Sequence, residues 1–208
     1  MTRTLFAALP RLVLFVLATL PVLIGMAILT AMAKGQISDI ADAEDHMRWA
    51  SYPTAVIGHI IGGSLMLLLG FARFSRQLRS RFPGWHRWAG RLIVAGGAFF
   101  ALSGLWMNAS VRAPDTSRLY DAAQNVMAVA LLVVLFLGIG AIRRGQIHRH
   151  RVWMMRAYAI SLGAATQTAM LFPVFLLAGP PTGLLADLTF ISAWAINLTV
   201  AEMLLRHR

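Results

Sequence analysis

An all-α bundle of about six membrane-spanning helices, both termini cytoplasmic, is what this sequence predicts. Three observations carry the prediction. Of 208 residues, 58% are hydrophobic and only 13% are charged, about half the charge of a soluble domain. The apolar residues fall into six continuous runs, each long enough to cross a hydrocarbon core of about 30 Å. Basic and acidic residues segregate into alternate gaps between those runs.

The first run, Leu12–Ala33, follows Arg3 and Arg11. Its end, Ala31-Met32-Ala33, loosely resembles a leader cleavage site, but the apolar stretch is longer than a leader's core and suits a span. The acidic gap Gln36–Pro53 follows, with Asp39, Asp42, Glu44, Asp45 and His46, and reads as a short amphipathic piece on the surface. The second run is Thr54–Phe74. A basic loop, Ser75–Trp85, then turns at Pro83-Gly84. Trp88–Ala109, Tyr120–Ile142, Val152–Ala178 and Leu184–Leu205 complete the set. The runs are continuous rather than alternating, which excludes strands. A segment in lipid must satisfy its own backbone, so each run is a helix. No linker divides residues 1–208, which read as one transmembrane domain.

Fifteen of the 19 basic residues lie in the gaps or at the run ends on one side; Lys34, Arg48, Arg112 and Arg118 lie on the other. Of the acids, only Glu202 shares the basic side. The positive-inside rule therefore predicts cytoplasmic termini in a bacterial inner membrane. The net charge of +11 sits in the gaps between spans, so it points to the lipid bilayer and its anionic headgroups rather than to nucleic acid. With no cysteine, disulfides, thiolate metal sites and cysteine nucleophiles are excluded.

His59 is the one histidine well inside a run. An ionisable group there faces the bundle interior or a cavity and is a functional candidate. Gly63, Met66 and Gly70 share its helical face. A histidine above glycines suits a flat macrocycle such as haem; the same glycines suit close helix packing, with His59 hydrogen-bonded across the interface. His86 and His150 begin the third and fifth runs on the basic side. They are candidate metal or haem ligands, with His148 as a substitute, or else members of an arginine belt anchored by Trp85, Trp88 and Trp153. His86-Arg87-Trp88 and His150-Arg151-Val152-Trp153 echo one another and suggest a duplicated hairpin. Arg91 and Arg156 are candidates for a haem propionate or lipid phosphate; snorkelling to the interface is the alternative. A polar layer of Asn108, Asp121, Gln124, Asn125 and Gln167 lies toward the outer side near His59. It suits a quinone headgroup or protons, or plain interhelical hydrogen bonding, the role that Asn197 and Glu202 also suggest.

His59, His86-Arg87-Trp88-Ala89-Gly90-Arg91 and the stretch from His150 to Ala159 together resemble a bacterial family of predicted membrane proteins, domain of unknown function 2306. The family pattern has an intramembrane histidine, an H-R-W-x-G-R element and an H-R-x-W-M-x-R-S-Y-A element. The resemblance spans about Thr54–Gln167, with Ala157 at the serine position. It implies a multi-helix inner-membrane protein without an established activity. The layout is also similar to cytochrome b-type proteins. Only His59, His86 and His150 match as ligands, so one haem b or none is implied. The expectation is a membrane protein that binds haem or quinone and serves a redox partner. The alternative is a transporter or an assembly protein; Pro21 and Pro173 each interrupt a span, but not at equivalent places of a clear repeat, as broken transporter helices do.

Overall fold

The computed structural model describes residues 2–36, 50–73, 80–110, 117–179 and 183–206. Most of the acidic gap, with its expected amphipathic piece, lies outside the described residues. Seven helices account for the long elements: α1 (Thr2–Lys34), α2 (Pro53–Arg73), α3 (Pro83–Ser110), α4 (Arg118–Arg143), α5 (Ile147–Ser161), α6 (Gly163–Ala178) and α7 (Gly183–Arg206). No strand occurs among the described residues. Among the described residues, five helical stretches are long and apolar enough to cross a membrane: Leu12–Lys34 of α1, then α2, α3, α4 and α7. Their outward faces are apolar, with Leu23, Phe99 and Phe136 exposed. Hydrocarbon accepts such a surface and water does not.

The fifth run is where structure departs from sequence. One span is expected over Val152–Ala178, interrupted by Pro173. The chain instead breaks at Leu162, between α5 and α6, and stays helical through Pro173. The cause lies on α7. The Trp194 indole N–H donates to the Ile160 carbonyl at 3.2 Å, the acceptor that the Ala164 amide would use in an unbroken helix. The indole also lies against Gly163, where any Cβ would collide with it. A side chain inserted into the hydrogen-bond ladder kinks a helix. Contacts from Arg156–Glu202 to Gln167–Phe190 tie α5 and α6 along α7, whereas neither α5 nor α6 alone is among the stretches long and apolar enough to cross.

Small residues set the closest helix crossing. A Cβ on Gly62 of α2 would stand 2.5 Å from the Gly96 carbonyl oxygen of α3, so the two backbones touch. In lipid, where tails are as apolar as leucine, such close packing holds helices together. Met66, Ile93, Leu131, Leu135 and Ala157 form the core beneath that crossing. Around it α1 packs on α2 and α6, α3 on α4, and α5 on α4 and α7. The Ser117 side chain caps α4 by accepting from the Tyr120 amide. At its other end Gly145 takes φ +71°, and Gly145 N–H and Gln146 N–H donate to Ile142 and Ala141 carbonyls at 3.0 and 2.9 Å. That pair of bonds is a Schellman motif, which favours glycine at the left-handed position.

Candidate functional site

His59 lies about one and a half turns into α2. Its Nδ1 donates to the Phe100 carbonyl at 3.1 Å, and its ring stands 4.3 Å from the Phe100 ring. A carbonyl only accepts, so the proton is on Nδ1 and the neutral ring keeps its lone pair on Nε2. The glycines that share its face lie against aromatic side chains. Gly63 receives the Phe100 ring and Gly70 the Tyr158 ring, while Met66 is 1% exposed in the core. Of the two readings of this stripe, the structure realises close helix packing.

Beside His59 a cavity of about 350 Å³ opens between α2, α3, α4 and the broken α5–α6 pair. His59, Asn108, Gln124 and Gln167 line it, as the polar layer in the sequence suggests; Tyr120, Ser161 and Trp194 line it as well. Local bonds set these groups in place. Asn108 Nδ2 donates to the Asp121 carbonyl and to Asn125 Oδ1, at 3.3 and 3.2 Å, which ties α3 to α4. Gln167 Nε2 donates to the Phe190 carbonyl at 3.1 Å, and the Tyr120 ring packs on Phe190 at 4.5 Å. Asp121 and Asn125 thus act behind Asn108 rather than at the wall. Phe100, Met127, Leu131 and Ile160 supply apolar lining. Trp194 escaped the sequence reading. Its midpoint position on α7, far from the interface where tryptophan collects, is the signal that could have found it.

The other candidates sit at the arginine-rich end. Arg73 Nη2 donates to His86 Nε2 at 2.8 Å, and its guanidinium lies against Gly90. His86 and Gly90, one turn apart, thus form a seat for the last residue of α2. The His86 lone pair is taken by that arginine, so Nε2 is no metal ligand here. His150 Nδ1 donates to the Gly138 carbonyl at 2.8 Å. Each histidine therefore reaches back to the preceding helix, 13 and 12 residues away, and fastens its own hairpin. The echo between the two motifs is an echo of this role. The two histidines are engaged at separate places: His86 of α3 bonds to Arg73 of α2, and His150 of α5 to Gly138 of α4.

His59 cannot join them. It bonds to Phe100, fourteen residues along α3 from His86, a rise of about 21 Å. Among the described residues, no three histidine or carboxylate groups gather as a metal would need. Arg91 is exposed. Arg156 is committed to Glu202, with Nε and Nη2 donating to its two oxygens at 2.6 and 3.1 Å, and its guanidinium covers the Trp153 ring at 4.9 Å. Trp153 is thus half-buried under an ion pair, whereas Trp88 is 64% exposed as an interfacial anchor would be.

Long apolar helices around an internal polar cavity define a polytopic all-α membrane protein. Residues 56–205 match the family described as predicted membrane protein (DUF2306), and the chain belongs to that family. No curated protein and no solved structure matches it.

Proposed function

We propose that the cavity beside His59 binds the ring of a membrane quinone, in a bacterial inner membrane with both termini cytoplasmic. The observation that carries this reading is the convergence of His59, Gln124 and Gln167 on one cavity. The chemistry is complementary. The His59 Nε2 lone pair can accept from a quinol hydroxyl, and a glutamine amide can donate to a quinone carbonyl. Phe100, Tyr120 and Trp194 offer aromatic surface to a flat ring. The volume falls within the range of about 300–1,000 Å³ usual for small-molecule sites, and the charge bias supports a periplasmic-side position for the cavity. Haem b is the weaker reading, because His59, His86 and His150 are bonded at separate places.

The test is a titration of the purified protein with a short-chain benzoquinone, followed through tryptophan fluorescence. Wild type should show saturable quenching. His59→Ala should weaken binding about tenfold, near 1.4 kcal/mol, the scale of one hydrogen bond. Equal, unsaturable quenching in both proteins would reject the site. A haem absorption band lost in His59→Ala would favour the haem reading instead.

A further inference from the structure

A second cavity, of about 390 Å³, lies at the opposite, arginine-rich end, between the end of α4 and the start of α5. Its lining has two halves. Arg144, His148 and Arg149 are basic or imidazole groups, all exposed, and Leu137, Val152 and Trp153 form an apolar wall. Arg149 Nη1 donates to Gln146 Oε1 at 3.3 Å, which steers its guanidinium. The Arg144 guanidinium folds back along α4 onto Gly140, where a Cβ would stand 3.3 Å from Nη2. The two backbone bonds at Gly145 and Gln146 hold the connecting turn rigid.

Among the described residues, no acid answers the charge of this groove. Between Asp121 and Asp187 the chain has no acidic residue, and Glu202 is taken by Arg156. The groove also straddles the end of the apolar spans. From Leu137 to Arg144 is about 10 Å along α4, the step from acyl chain to headgroup. Basic pockets between helices at a membrane's cytoplasmic face bind anionic headgroups. We propose that this groove is a specific site for an anionic phospholipid. Arg144, Arg149 and His148 hold its phosphodiester, and an acyl chain lies along Leu137, Val152 and Trp153. This site is separate from the quinone reading and does not depend on it.

The experiment is native mass spectrometry of the purified protein with phosphatidylglycerol, against phosphatidylcholine as the zwitterionic control. Wild type should retain phosphatidylglycerol selectively. An arginine that contacts the anionic headgroup is worth about fivefold in affinity, so Arg144→Gln with Arg149→Gln should lower retention more than tenfold. The charge-matched control, Arg87→Gln with Arg91→Gln, alters two exposed arginines at the same end and should leave retention within about twofold, below one arginine's share. Val152→Trp keeps every charge but fills the apolar wall, and should also release the lipid. Equal loss in the Arg87/Arg91 control would overturn the proposal in favour of a diffuse arginine belt. Displacement of the lipid by inorganic phosphate at equal concentration would overturn it in favour of a simple anion site. Equal retention of phosphatidylcholine, or a Val152→Trp protein that holds phosphatidylglycerol like wild type, would overturn it too.

Discussion

At the residue scale, the polar side chains of this bundle divide into those that fasten helices and those that face a cavity. Arg156 and Glu202 belong to the first kind. Both have their charge answered by a two-bond contact near the end of the spans. Their side chains are 30% and 41% exposed, so breaking the pair should cost about 0.2–1 kcal/mol, the scale of an exposed salt bridge. Arg156→Gln and Glu202→Gln should each show that loss in detergent unfolding, and the double variant should lose no more than either. Additive losses would mean that the pair does not act as a unit. Sequence alone identifies Arg156 as a candidate for an anionic partner, and Glu202 as the lone acid on the basic side. It could not join them, because their pairing spans 46 residues and depends on how α5 meets α7. The same limit explains His86 and His150. Their motif positions were legible; their partners, Arg73 and Gly138, were set by hairpin geometry.

At the element scale, the long runs were legible because lipid imposes so simple a rule: about 20 apolar residues and a satisfied backbone. The break at Leu162 was not. Nothing local to Ser161-Leu162-Gly163 compels it, and Pro173 offers a more obvious breaker that the helix tolerates. The break belongs to a contact with Trp194, more than thirty residues away. That account makes a prediction with opposite signs in two backgrounds. In wild type, Gly163→Ala should displace the indole and destabilise the protein by about 1–3 kcal/mol, as overpacking does. In a Trp194→Ala background the same change should be neutral or stabilising by up to about 1 kcal/mol, since alanine is the better helix former. Thermal unfolding of the four proteins in one detergent checks it. Destabilisation by Gly163→Ala in both backgrounds would show that the break is intrinsic to α5–α6.

At the scale of the whole molecule, the bundle has two chemically different ends. One gathers arginines, the hairpin-fastening histidines and the Arg156–Glu202 pair. The other holds His59 and the amides around a cavity of about 350 Å³. The polar layer was legible as a set because its members lie at one depth, and depth can be counted along each run. That they surround an open cavity rather than bond only to one another was not legible, since it rests on how α2, α3, α4 and the α5–α6 pair meet around it. The central claim is that this cavity holds a quinone ring. Its most direct test is the quinone extracted by organic solvent from protein purified in mild detergent, in wild type and in Ala164→Phe. Ala164 lines the cavity, and the larger side chain would fill it without touching His59's bond to Phe100. The account predicts close to one quinone per wild-type protein and a small fraction of that in Ala164→Phe, with both variants equally folded. Equal amounts in the two proteins, or none in wild type, would contradict it.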